Sequence, residues 1–99
     1  MEISKAKNEN KTTLTLSGRL NSTTASKLQE ALIPEFAGTK LVELDFADLS
    51  YVSSAGLRVL LFSEKTAKAN GCRLTLINVS GDIMEIFEMT GLADVLNIE

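Results

Sequence analysis

The chain has no histidine. That removes the Ser-His-Asp triad, the Cys-His pair and most zinc sites. Any catalysis would have to rest on carboxylates, lysines or a backbone site, so the composition argues against hydrolytic or transfer chemistry. One cysteine, Cys72, excludes an internal disulfide. Beside the apolar run Leu74-Thr75-Leu76-Ile77 it reads as a small packed side chain. Aromatics are scarce, Tyr51 and four phenylalanines, so the core has to be aliphatic. No apolar run approaches the roughly 20 residues that a membrane-spanning helix needs. The start, Met1-Glu2-Ile3-Ser4-Lys5, lacks the apolar core of a signal peptide, and a cytoplasmic protein is expected. No block of like charge marks a tail. The net charge of −3 and pI of about 4.9 give a mildly acidic surface. Such a surface repels phosphate backbones, so direct DNA or RNA binding is not expected.

What is present is ordinary globular material: 99 residues, 44% hydrophobic and 23% charged. The length suits one domain over residues 1–99. Residues 2–7 read as a weakly patterned strand and Asn8-Glu9-Asn10-Lys11 as a turn. Thr12-Thr13-Leu14-Thr15-Leu16-Ser17 alternates with period two, predicting a half-buried strand that Gly18 ends. The two strands suggest an opening antiparallel hairpin. Ala25, Leu28, Ala31 and Leu32 have helical spacing, predicting a helix near 23–33 bounded by Pro34 and Gly38, with Phe36 in a last irregular turn.

Lys40 to Phe46 reads as the next strand and Asp48 to Val52 as a connection. Ser53 or Ser54 then caps a helix over 54–69, stopped by Asn70-Gly71. Cys72 to Ile77 is a strand, and a helix over 81–90 carries Ile83, Ile86 and Phe87 on one face. Val95 to Ile98 fits either a short strand or a helical turn. A hairpin followed by alternating strands and helices predicts an α/β fold with a mixed sheet of four or five strands and three to four helices packed on it.

The stretch from Asp45 to Leu61 is the most informative. A strand ends, a loop follows, and a helix opens with Ser53-Ser54-Ala55-Gly56. The first turn of a helix has unpaired N–H groups and a partial positive charge, so a phosphate on Ser54 would be well placed. Gly56 would let a partner or a phosphate approach the backbone closely. The plainer alternative is that the serines do no more than cap the helix. The helix itself is unusually apolar: Gly56, Leu60 and Ala67 on one side, Ala55, Val59, Phe62 and Ala69 on another, with Leu57 and Leu61 widening the arc. Arg58, Lys65 and Lys68 mark solvent. Burial against the sheet accounts for most of these residues, and an exposed leucine beside Arg58 would be an interface candidate.

Leu49-Ser50-Tyr51-Val52-Ser53-Ser54-Ala55-Gly56-Leu57 resembles the phosphorylation motif of the STAS-domain anti-sigma factor antagonists. The resemblance covers nearly the whole chain. Leu16 to Asn21 resembles the family's L-x-G-x-L-D segment, Val42 to Phe46 its central strand, and Phe87 to Leu92 its F-x-x-x-G-L signature. Each piece is weak alone; four in order, at family spacing, are specific. The resemblance implies a STAS-like fold and a non-enzymatic binding protein needing no cofactor or metal.

It also implies a circuit. The unphosphorylated domain binds an anti-sigma factor that is also a serine kinase, the sigma factor is released, the kinase phosphorylates one serine and binding is lost, and a serine phosphatase restores it. Counting back from Gly56-Leu57 puts that serine at Ser54, with Ser53 as rival. The implied partner surface is Asn21, Ser22, Thr23, Ser53, Ser54, Gly56, Leu57, Arg58 and Leu61, on a monomer. Two positions depart from the family pattern: Ser53 and Asn21 stand where acidic residues are usual.

Three other readings compete. A STAS binding subunit of a transport or signalling complex would use the same helix face without a phosphorylation switch. An enzyme would have to use Glu43, Asp45 and Asp48, near a strand's C-terminal end where α/β folds often hold ligands, yet no phosphate loop accompanies them. A nucleotide-binding module is disfavoured because Gly18-Arg19-Leu20 is neither a Walker nor a dinucleotide loop.

Overall fold

A computed structural model describes residues 1–99. Five strands form one sheet in chain order: β1 (Glu2–Lys7), β2 (Lys11–Leu20), β3 (Leu41–Val52), β4 (Arg73–Ile77) and β5 (Asn97–Ile98). β1 and β2 make the expected antiparallel hairpin, and all later neighbours are parallel. Three α-helices accompany the sheet: α1 (Ala25–Leu32), α2 (Ser54–Ala69) and α3 (Gly81–Thr90). Two short 3-10 turns, Ile33–Ala37 and Leu92–Asp94, follow α1 and α3.

Alternation builds the core. Thr12, Leu14 and Leu16 on β2 and Val42, Leu44 and Phe46 on β3 are fully buried, while Lys11, Thr13, Thr15, Glu43 and Asp45 between them are half-buried. The buried set joins Leu28, Leu32, Leu60, Ile83 and Phe87 from the helices in one cluster of 22 residues. Phe46 and Phe87 meet with ring centroids 6.3 Å apart. The other face is polar. There Glu43 takes a hydrogen bond from the Thr13 hydroxyl at 3.2 Å and an ion pair from Lys11 at 3.2 Å.

Two strand ends differ from the sequence expectation, and the difference positions the site. Gly18 does not end β2. It sits at φ +99° where the pairing with β3 shifts register, and the strand continues to Leu20. Only glycine enters that region without strain, so the residue that looked like a stop is a bulge. Likewise Asp48 to Val52 is strand, not connection: Leu49 and Val52 are buried, Leu49 pairs with Gly18, and Val52 pairs with Leu20. The Ser50 hydroxyl donates to the Gly18 carbonyl at 2.9 Å and closes the irregular stretch. The polar composition read as loop because half of this extension faces solvent.

α1 ends at Leu32, and Pro34 and buried Phe36 lie in the 3-10 turn. In the same turn Glu35 is buried and pairs with Lys5 at 2.7 Å and Lys7 at 3.0 Å, tying edge strand β1 to the helical layer. The ambiguous C-terminal stretch supplies both alternatives: a turn at Leu92–Asp94, then β5 paired parallel to β4.

Candidate functional site

The extended ends of β2 and β3 carry the chain to one corner. The Ser53 amide donates to the Leu20 carbonyl at 2.8 Å, so the residue after β3 is bonded to the last residue of β2. From there the two strands feed the Asn21 loop and helix α2. Ser53 is the N-cap of α2: its backbone is extended and its hydroxyl accepts from the Gly56 amide at 3.3 Å. Ser54 is the first helical residue and is exposed. The two serines therefore divide the roles the sequence left open, one capping and one free.

The Asn21 loop is organised by its own side chains. Asn21 Oδ1 accepts from the amides of Thr23 at 3.0 Å and Thr24 at 3.1 Å. Thr24 Oγ1 accepts from the Asn21 amide at 2.9 Å and donates to the Arg19 carbonyl at 2.8 Å. This is local capping chemistry of an asparagine in a turn, and it holds Ser22 and Thr23 out in solvent.

Gly56 differs from expectation. It is buried, not presented to a partner. A Cβ there would lie 2.7 Å from Leu20 Cγ, 3.0 Å from Leu20 Cδ2 and 3.2 Å from Val52 Cγ1. The missing side chain lets α2 approach the β2–β3 corner, so Gly56 sets the position of the surface without forming part of it.

The buried stripe of α2 also runs differently. It comprises Gly56, Val59, Leu60, Ser63, Glu64 and Ala67, passing through two polar residues. Leu57 and Leu61 are half-buried and pack against the core, offering only part of their surface. Phe62, expected on the apolar arc, is 50% exposed. It lies four residues after exposed Arg58 and so shares its face, a relation visible in the sequence spacing.

Phe62 and Arg58 line a cleft of about 390 Å³ between α1 and α2, with Ser22, Ala25, Ser26 and Ala55 among its other walls. Through Ser26, Gln29 and Phe62 it continues into a second cleft of about 550 Å³ bordered by Glu30, Ile33 and Pro34. Arg58 is the one charged residue lining the first cleft. Sequence reasoning also missed Arg19 and Tyr51. They pair in register at the strand ends, both are exposed, and the guanidinium lies 4.3 Å from the ring centroid.

Among the predicted residues, Asn21 and Ser53 are thus brought together through Leu20, and Ser22 and Arg58 face one cleft. The carboxylates weighed for catalysis do not assemble. Glu43 is engaged by Lys11 and Thr13, while Asp45 accepts from the Ala47 amide at 2.9 Å and from Asn78 Nδ2 at 3.0 Å. No group of three His, Cys, Asp or Glu residues is placed to hold a metal ion. Burial pushes the Cys72 thiol up from its ordinary range, which disfavours the reactive thiolate. No helix is long and apolar enough to cross a membrane.

A hairpin leading into a parallel sheet, with a serine-initiated helix at the strands' C-terminal corner, defines a SpoIIAA-like α/β fold. The chain belongs to the STAS domain family: residues 3–97 match the family described as "Mlab, STAS domain". Its homologues are anti-sigma factor antagonists. It is 32% identical to the anti-sigma-B factor antagonist of Bacillus subtilis, over 92% of this chain and 84% of that one. It is 33% identical to the corresponding antagonist of Staphylococcus epidermidis, over 82% of this chain and 76% of that one. Among solved structures, the unphosphorylated anti-sigma factor antagonist SpoIIAA superposes with a TM-score of 0.83 at 17% identity, covering 99% of this chain and 88% of that one. The Bacillus cell fate determinant SpoIIAA in its phosphorylated form gives 0.77, also at 17% identity, with 99% and 91% covered.

Proposed function

We propose that this protein is a single-domain anti-sigma factor antagonist, a binding protein and not an enzyme, that works in the cytoplasm as a monomer. It binds an anti-sigma factor with serine kinase activity through the Asn21 loop and the start of α2, and phosphorylation of Ser54 switches the binding off. A serine phosphatase resets it. The observation that carries this reading is the division of labour at the head of α2. Ser53 is used up in capping, with its amide bonded to Leu20 at the start of the Asn21 loop, while Ser54 beside it is exposed.

The physics of the switch follows from that placement. A phosphate on Ser54 costs the fold little, because the start of a helix favours an anion. It costs a fitted contact much, because nearly two negative charges would have to be desolvated there. Asn21, Ser22, Thr23, Ser54, Arg58 and the exposed parts of Leu57 and Leu61 supply the contact. Ser53 and Gly56 act from behind it, by capping and by close packing.

Calorimetric binding to the cognate anti-sigma kinase tests the reading. Ser54→Asp should weaken binding at least tenfold, about 1.4 kcal/mol, while leaving the melting temperature nearly unchanged. Ser54→Ala should bind like the wild type. Equal affinity for all three proteins would overturn the switch. A second reading, a STAS binding subunit of a transport or signalling complex without a phosphorylation switch, is favoured by one feature. Ser53 and Asn21 leave both usual acidic positions uncharged, and each is committed to local backbone capping.

A further inference from the structure

Arg58 is a cation without an anion. The four ion pairs of the molecule use Lys5, Lys7, Lys11 and Lys68, and Arg58 takes part in none. On a helix a side chain meets those three and four positions away. For Arg58 these are Ser54, Ala55, Leu61 and Phe62, all uncharged. Across the cleft it faces Ser22, Ala25, Ser26 and Gln29, which are also uncharged. Three hydroxyls lie around it, those of Ser22, Ser26 and Ser54, and of these Ser54 alone is on its own helix, four residues before it.

The helix start by itself is partly spent, since the Gly56 amide already donates to Ser53 Oγ at 3.3 Å and no acidic residue stands in the first turn. We propose that Arg58 is the built-in counter-ion of phosphorylated Ser54: the guanidinium swings along the exposed face of α2 to pair with the phosphate within the same chain. This rests on the reading of Ser54 as the phosphoacceptor and deepens it. Phosphorylation then changes the partner surface twice. It adds an anion at the head of α2 and withdraws the single positive side chain from the wall of the α1–α2 cleft.

The pairing is i, i+4 with the anion on the N-terminal side, the favourable orientation for such a pair. Both groups are exposed, so the attraction is modest and sensitive to salt. It biases a flexible arginine without locking it.

The test does not need the kinase. Phosphoserine is placed at position 54 during translation or by semisynthesis, and the second ionisation of the phosphate is followed by phosphorus NMR in low salt. Arg58→Ala should raise that pKa by about 0.2 to 0.7 unit. Arg58→Lys should recover part of the difference, and 0.5 M salt should shrink it. Lys65→Ala, which removes another exposed cation of the same helix, serves as control. A shift for Arg58→Ala no larger than for Lys65→Ala would overturn the pairing. Failure of a kinase to phosphorylate unmodified Ser54 would count against the functional reading alone, because the NMR result does not depend on it.

Discussion

Replacing Gly56 with alanine sets two effects of opposite sign against each other. In a helix interior, glycine to alanine ordinarily stabilises by roughly 0.5–1 kcal/mol, because glycine loses more backbone freedom on folding. Here the new methyl would lie 2.7 Å from Leu20 Cγ and 3.2 Å from Val52 Cγ1. Leu20 is fully buried and Val52 nearly so, and the atom struck is a branch point, not a mobile tip. Overpacking of this kind costs about 1–3 kcal/mol. The net expectation runs from no change to a loss of about 2.5 kcal/mol, at about 4–8 °C of melting temperature per kcal/mol in a domain of this size.

Gly81→Ala is the internal control, because a Cβ there meets nothing within 4 Å. It should be neutral or stabilising. Urea unfolding of both variants gives the comparison. Since Leu20 carries the carbonyl that holds the Ser53 amide, a displaced Leu20 should also disturb the Asn21 loop, seen as amide shifts at Asn21 to Thr24. A Gly56→Ala protein as stable as Gly81→Ala, with that loop unmoved, would refute the close-packing account.

Glu35 should make stability depend on acid. The hydrogen bond from Lys5 and the nearby charge of Lys7 hold its carboxyl below the usual carboxylate range, outweighing the effect of its burial. With the folded value below the unfolded one, its contribution is fully present above about pH 4.3 and is lost as pH falls through the folded value. Urea midpoints from pH 7 down to pH 3 should therefore fall more steeply for the wild type than for Glu35→Gln; parallel curves would contradict this. Cys72 should resist alkylation at neutral pH in the folded protein and react fully in denaturant, as thiol titration would show. Ser63 Oγ is fully buried without a hydrogen-bond partner, so Ser63→Ala should raise the urea midpoint by the equivalent of up to about 1 kcal/mol; a drop of that size would mean that the hydroxyl is in fact satisfied.

The elements with strong periodicity were legible in the residues. Helices over 54–69 and 81–90 stand where apolar spacing, and for the first the Asn70-Gly71 stop, put them, because Ser53 and Ser80 cap their starts and a glycine follows each end. Strand ends were not, for a physical reason. Gly18 and the polar run Asp48 to Tyr51 carry turn chemistry, and only pairing between β2 and β3 overrides it. The site was partly legible. Ser54 and Asn21 were nominated through family spacing and stand as the proposed contact, whereas Arg19 and Tyr51 escaped because their meeting depends on the strand extension. Gly56 was assigned to the right place with the wrong neighbour: its empty Cβ position faces Leu20, a contact between elements that spacing within one helix does not reveal. Ser63 and Glu64 on the buried stripe show the same limit, since a wheel drawn from apolar residues alone rotates α2 toward Phe62.

Ser54 is the proposed regulatory phosphoacceptor, with Ser53 occupied as the helix cap. Mass spectrometry of the protein after incubation with the proposed anti-sigma kinase, purified, and ATP decides it, with Ser53→Ala and Ser54→Ala in parallel. Phosphate should map to Ser54, persist in Ser53→Ala and vanish in Ser54→Ala. Phosphate on Ser53 alone would move the site by one residue, and none on either serine would contradict the switch and leave a constitutive binding domain.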